Sequence, residues 1–431
     1  MQRTIVYDCD RLVSVLKKNT PTGIDRVDYA YLSHFFNDMD THLVGIQLRH
    51  DDIKIIARDD IERLLTLLGR KWHGDASSSE DTEAEALALR KRLRATDLVN
   101  IARCRIARGS TLRTVPERAD GKDASVFYFN ASHRNMLSEK NFRAMRDRLG
   151  WKLIFFIHDL IPIDFPQFVK RGAKEDHEKR MLVATRSGDF LVFNSQYSAD
   201  RFREFVGRLG AQIPPNTVLH IGVEQRFLDQ RNTAKPTHPP YFLIIGTLEP
   251  RKNLRLILQV WKRLIEEGGI VPELRIAGRR GWVTDENAAE STMIAELDGH
   301  VTHLEGLNDA ELMDQIRGAT ALLFPSLAEG WGMPLVEAAT LGVPIIASDI
   351  PAFREAAQGC AELLTVKDAE AWSRIIKEHS DPFGKAKQAT LDRLSIFKPP
   401  LWNDHFATFE DAAANAFDCN QGAQLENNGR L

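Results

Sequence analysis

Short, nearly unbroken apolar runs rich in Val, Ile and Phe recur along this chain in two successive series, and they constrain its fold more than any other feature. The first series occupies residues 4–9, 42–48, 125–130, 152–157, 189–193 and 217–221; the second occupies 241–246, 274–277, 301–304, 321–325, 344–347 and 361–365. A strand with one solvated face alternates polar and apolar residues, whereas a strand covered on both faces reads as a continuous apolar run. The intervening stretches carry helical spacing. Ala30, Tyr31 and Phe35 share one face behind a Thr22/Asp25 cap, and Leu254, Ile257, Leu258, Trp261, Leu264 and Ile265 form a stripe behind Asn253. A third helix follows Asn308. Between the series, Asn232, Thr233, Pro236, Pro239 and Pro240 break every periodic pattern. The expected fold is α/β, with two Rossmann-like doubly wound domains facing a cleft, spanning 1–235 and 236–400. A helix over 401–417 packs back toward the first domain, and a polar, mobile end follows from Asn420.

Composition narrows the function class. Of 431 residues, 43% are hydrophobic and 27% charged, which fits a folded chain with two cores; the net charge of −3 argues against a dedicated nucleic-acid binder. Cys9, Cys104, Cys360 and Cys419 are scattered without ligand-like spacing, so neither a zinc site nor a disulfide framework is expected, and a reducing cytosol fits. No apolar run approaches the ~18 residues of a membrane span. Residues 90–118 form a basic cluster, either an amphipathic surface drawn to anionic lipid headgroups or a solvated helical face.

One strand–loop–helix passage concentrates chemistry. The run 321–325 leads through a loop into a helix over 334–341, with Pro334 at its first position. Gly330 and Gly332 permit positive φ and close backbone approach, and free amides at a helix start suit a phosphate. Glu329 and Glu337 bracket the loop, and paired carboxylates hold sugar or ribose hydroxyls well. Taken bare, a Gly-x-Gly is better read as a plain tight turn.

Its surroundings say more. Residues 329–337, Glu-Gly-Trp-Gly-Met-Pro-Leu-Val-Glu, resemble the E-x7-E signature of glycosyltransferase family 4, the retaining sugar-nucleotide enzymes of GT-B fold, including its G-x-G-x-P-x-x-E interior. Residues 246–253, Gly-Thr-Leu-Glu-Pro-Arg-Lys-Asn, look like that family's phosphate-binding turn, and 274–278 and 303–307 like its next two strands, the latter closing on Leu307. The resemblance covers 241–365 and implies roles. Lys252 would contact the donor diphosphate. Many relatives carry Arg where Thr247 stands, and Arg251 would supply that charge. Glu329 would hold donor-sugar hydroxyls and Glu337 the ribose. Backbone around Gly330, Trp331, Gly332, Met333 and Pro334 would meet sugar and phosphate, with Arg279 near the base or diphosphate.

In the first half, residues 22–27, Thr-Gly-Ile-Asp-Arg-Val, are similar to a glycine loop found in many mannosyltransferases of bacterial surface polysaccharides. The resemblance implies that Gly23 approaches the donor phosphate or acceptor. Arg26 either adds charge there or pairs with Asp25 or Asp28 on the helix surface. His158, at a strand's carboxyl end, would lie against the donor sugar, with Asp159 orienting its loop and Asn194 and Ser195 lining the acceptor side. His158, Lys252, Arg251 and Glu329 are thus the residues expected at the reacting centre. The resemblance implies no metal, and Asp8-Cys9-Asp10 is read as a strand-end feature. It favours GDP-mannose as donor, with GDP-fucose, dTDP-rhamnose and UDP-sugars open, and a saccharide or polyprenyl-linked saccharide as acceptor, at the inner face of the cytoplasmic membrane. A sugar-nucleotide hydrolase or epimerase, or a non-catalytic sugar-nucleotide-binding subunit, would use the same cleft.

Overall fold

The structure, a computed structural model, describes residues 3–49, 52–73, 80–95, 125–237, 239–281, 285–297, 299–381 and 383–428. Two sheets carry the chain. The first contains β1 (Arg3–Asp8), β2 (Thr41–Arg49), β3 (Asp52–Ile56), β4 (Val126–Asn130), β5 (Lys152–Ile157), β6 (Phe190–Phe193) and β7 (Asn216–Val218), in the order β3-β2-β1-β4-β5-β6-β7. The second contains β8 (Tyr241–Ile245), β9 (Glu273–Ala277), β10 (Val301–Leu304), β11 (Ala321–Phe324), β12 (Ile345–Ser348) and β13 (Glu362–Leu364), in the order β10-β9-β8-β11-β12-β13. Every pairing is parallel except β2 with β3. Chain direction across the sheet reverses between β1 and β4, and between β8 and β11; such switch points open crevices for ligands.

Each expected apolar run forms a strand, although β7 stops at Val218 rather than residue 221. β3 was not expected. Its residues Asp52 and Lys54 belong to an antiparallel edge strand and lack the apolar continuity that marks a covered one.

Six of the helices carry or adjoin the residues singled out in the sequence: α1 (Gly23–Asn37), α2 (Gln196–Arg208), α3 (Leu254–Glu267), α4 (Asp309–Gly318), α5 (Met333–Leu341) and α6 (Trp402–Asn428). Thr22 and Asp25 close a full capping box on α1, and Asn308 and Glu311 do so on α4. Asn253, expected as a side-chain cap for α3, instead takes a left-handed φ of 53° and donates from Nδ2 to Val366 O at 3.3 Å. α5 begins at Met333, one residue earlier than expected. α6 continues to Asn428, past the expected end at residue 417 and through the stretch expected to be mobile. Its first turns pack Trp402, His405, Phe406 and Phe409 around buried Tyr31, whose hydroxyl meets His405 Nε2 at 2.7 Å. Full burial of a ring such as Phe409 is worth about 1.5–3 kcal/mol.

The helix Glu80–Arg94 covers the start of the basic segment; it buries Ala86, Leu89 and Leu93 and pairs Arg92 with Asp60. Residues 96–118, including Cys104, lie outside the described residues. Cys9 and Cys360 are buried and free. Among the described residues no helix is long and apolar enough to cross a membrane.

Candidate functional site

Loops leaving the carboxyl ends of β5, β6 and β11 meet at one place. A Cβ added to Gly330 would lie 2.2 Å from His158 O and 2.9 Å from Asp159 Cβ, so only glycine permits this approach. Its φ is not in the left-handed region, so of the two expected reasons for a glycine here, positive φ and close backbone approach, only the second applies. Ser195 Oγ donates to Gly330 O at 2.6 Å, and Ser198 Oγ donates to His158 O at 3.1 Å. Asn194 and Ser195 are 3% and 0% exposed. Ser195 caps α2 and fastens the β11 loop to the first domain. Gly23 opens α1 directly under Met333, whose Sδ would sit 3.1 Å from an added Cβ.

Charge is concentrated beside this junction. Lys252 Nζ donates to Glu329 Oε1 at 2.5 Å and stands 4.8 Å from the centre of the Phe324 ring. Arg251 Nη1 reaches the same Oε1 at 2.8 Å, and its Nε reaches Glu249 Oε2 at 3.0 Å. Burial alone would push the Glu329 carboxyl up; Arg251 and Lys252 outweigh it and hold it at about 2. Burial lowers the Lys252 ammonium, with Glu329 opposing. The lysine stem passes over Gly246, where an added Cβ would meet Cε at 3.2 Å, and Gly246 has φ 138°. Thr247 is half-buried beside it, Leu307 packs on the core, and Arg279 is exposed.

Trp331 stacks on His220 with ring centres 4.5 Å apart, and Gly332, with φ 138°, precedes α5 with Pro334 in its first turn. Glu337 is buried in a narrow recess shared with Ile221, Gly222, Val223, Trp331, Met333 and Val336. Burial raises its carboxyl to about 7; Arg26 opposes, while Glu224 and Asp309 reinforce the rise. The folded chain therefore binds a proton more readily than the unfolded one, whose carboxyl titrates near 4.5. Stability falls as pH climbs between those values. Glu337→Gln should raise the thermal midpoint at pH 8, with the gain shrinking as pH falls toward 5. A gain independent of pH in parallel melts would refute that burial effect.

Arg26 does not pair with Asp25 or Asp28. Asp25 takes Arg11 Nε at 2.6 Å and Asp28 takes the Tyr7 hydroxyl at 2.6 Å. Arg26 instead crosses between domains, 2.7 Å from Glu224 Oε1 and bidentate on Asp309 at the start of α4. Arg226 joins Asp309 at 2.6 Å, and His73 approaches it at 3.5 Å. This cluster lay hidden in the sequence, because its members are far apart and only Arg26 stands in a motif. His73, Glu224 and Asp309 lie close enough together to hold a cation, but Arg26 and Arg226 already neutralise the two carboxylates.

His158 is 4% exposed, and burial lowers its ring to about 4. Its Nε2 lies 2.6 Å from Ala131 O, so that nitrogen carries the proton and Nδ1 is left as an acceptor. Asp159 Oδ1 accepts from Ile161 N at 3.0 Å, which orients its loop. Asp8 is buried and accepts from the Tyr128 hydroxyl at 2.9 Å and from Asn130 Nδ2 at 3.2 Å; Asp10 accepts from Gln47 Nε2 at 2.9 Å. The Asp8-Cys9-Asp10 triplet is a strand-end network.

Residues 225–381 match the family model of glycosyl transferases group 1. The serotype-specific mannosyltransferase WbdA of Escherichia coli is 27% identical over 252 residues, covering 53% of this chain and 30% of WbdA. O-antigen chain mannosyltransferase B of Escherichia coli is 29% identical over 259 residues, covering 58% of this chain and 65% of that protein. The match thus spans about a third of the first relative and just under two thirds of the second. Among solved structures, Anabaena HepE in complex with UDP superposes with a TM-score of 0.59 at 13% identity, over 96% of this chain and 100% of that one. Sucrose-phosphate synthase from Thermosynechococcus elongatus superposes with a TM-score of 0.58 at 13% identity, over 97% and 100%. Residues 225–381 are thus similar to the glycosyl transferases of group 1, on a chain whose two-sheet fold is GT-B.

Proposed function

We propose that the chain is a retaining glycosyltransferase that moves mannose from GDP-mannose to a saccharide or lipid-linked saccharide acceptor during surface-polysaccharide synthesis. The observation that carries this reading is the Lys252–Glu329–Arg251 cluster set against the α5 start and pressed through Gly330 onto His158. Two matched relatives named as mannosyltransferases support the sugar.

In this reading the bond from sugar C1 to the diphosphate breaks as the bond to the acceptor oxygen forms on the same face. The acceptor proton passes to a leaving phosphate oxygen. Charge grows on the diphosphate, and a fixed cation in a water-poor cleft stabilises that growth far more than it stabilises the ground state. Lys252 is the cation for this task, since Arg251 is already engaged with Glu249, Glu329 and the Ala328 carbonyl. Glu329, held ionised, offers acceptors to sugar hydroxyls. His158 is neutral at pH 7 and presents a ring face and Nδ1 rather than an acid. Glu337 would hold the ribose. Through 90–118 the enzyme would rest on anionic headgroups.

Protein cations take the place of a metal in this mechanism. Transfer assayed with GDP-mannose should persist in EDTA and gain nothing from added Mg²⁺ or Mn²⁺; chelator-sensitive activity restored by either ion would overturn that part. A thermal-shift panel of GDP-mannose, GDP-fucose, dTDP-rhamnose and UDP-sugars tests the donor, because the tightest ligand raises the midpoint most. A larger shift with any other donor sinks the mannose assignment.

A further inference from the structure

The loop between β4 and the helix Glu139–Leu149 grips His158 at two points. Ala131 O accepts from the ring at Nε2, 2.6 Å away, and His133 Nε2 accepts from the main-chain N of His158 at 3.4 Å. His133 keeps this place against its own backbone preference, because its φ of 58° lies in the left-handed region that disfavours a residue with a Cβ. Buried bonds enforce that conformation. Ser132 N donates to Asn130 Oδ1 at 3.0 Å, and Asn130 Nδ2 donates to Arg134 O at 2.8 Å.

Two more side chains hold the same stretch of backbone. His177, on the helix Ala173–Ser187, donates from Nε2 to Asp159 O at 3.0 Å, and Ser198 Oγ donates to His158 O at 3.1 Å. The His133 ring stands edge-on to both neighbouring imidazoles, its centre 5.3 Å from that of His158 and 5.5 Å from that of His177. All three rings are buried. Burial holds the His133 ring well below the ordinary histidine range; His158, His177 and Arg180 add to that effect, and the Phe156 backbone opposes it. A neutral ring has one nitrogen free to accept, whereas a charged one would turn an N–H toward the N–H of His158. With Nε2 accepting, the proton of His133 sits on Nδ1.

The grip bears on the site because the peptide it holds is the one on which Gly330 leans: His158 O is the atom 2.2 Å from an added Cβ. A shift of this peptide would carry the His158 ring and the seat of the β11 loop together. We propose that His133 is a positioning residue for transfer: by accepting from the His158 amide while Ala131 holds the ring tip, it sets where that imidazole stands against the donor sugar. The proposal rests on the transferase reading above and extends it to a residue that acts through His158.

The test uses the full chain carrying histidine labelled with heavy nitrogen. Long-range proton–nitrogen spectra at neutral pH identify His133 as the signal missing from His133→Phe, and they should place its proton on Nδ1. A proton on Nε2 overturns the proposal, since that nitrogen could not then accept from His158 N. His133→Phe keeps a ring and removes the acceptor. It should slow GDP release from GDP-mannose about tenfold or more, as displacement of a group at the reacting centre does, while calorimetric affinity for GDP stays within about twofold. His133→Gln returns an acceptor near the reach of Nε2 and should recover most of the rate; Gln358, with φ of 50°, shows that glutamine takes this backbone conformation. A wild-type rate in His133→Phe, a glutamine variant no better than phenylalanine, or GDP affinity that falls in step with the rate would each overturn the proposal. A wild-type chain that releases no GDP from GDP-mannose sinks the donor reading instead, and the tautomer of His133 then decides the grip on His158 by itself.

Discussion

Lys252→Ala is expected to lower the transfer rate by about 10²–10³, the usual effect of removing one preorganised donor from a developing anion, or about 3–4 kcal/mol of barrier. The geometry explains why no neighbour replaces it. Arg251 shares Glu329 Oε1 but is held by Glu249 and the Ala328 carbonyl, so it cannot swing to the diphosphate without abandoning both. Removing Lys252 also leaves Glu329 buried with one cation in place of two, so its carboxyl should rise from about 2 toward the ordinary range. Lys252→Arg should restore little. The lysine stem already passes within 3.2 Å of the Gly246 Cβ position, and a planar fork does not reproduce a compact ammonium. Steady-state kinetics with purified protein decide the matter: a Lys252→Ala rate within threefold of wild type would remove this residue from the mechanism.

Gly330→Ala should be nearly as damaging, although it deletes no chemical group. The new methyl would sit 2.2 Å from His158 O, a backbone atom at the end of a buried strand that has no room to retreat. The junction must open, and the Ser195 Oγ bond to Gly330 O must stretch with it. Misplacement of reacting parts by about 1 Å costs on the order of 100-fold in rate. The comparison is Gly207→Ala, in α2, where nothing lies within 4 Å of the added methyl. There alanine should add about 0.5–1 kcal/mol of stability through helix propensity and leave the rate unchanged. Rates for the two variants that fall together would show that Gly330 has no special place at the junction.

The sequence by itself determined what local chemistry can encode. Continuous apolar runs specified strands covered on both faces; caps at Thr22 and Asn308 set helix starts; Glu329 to Glu337 with the 246–253 turn resembled a glycosyltransferase, and the group 1 glycosyl transferase model matches the domain that holds them. β3 escaped because an edge strand needs no apolar continuity. Tertiary structure decided the partnerships. Arg26 could be paired on paper with Asp25 or Asp28, its neighbours on α1. In the fold those carboxylates face Arg11 and Tyr7, and Arg26 reaches Asp309 and Glu224 across hundreds of residues. Ser195 was legible as a strand-end residue, but its burial under Gly330 was not. Side chains at a domain junction are chosen by packing between distant segments, and a linear pattern carries no record of which distant segments will meet.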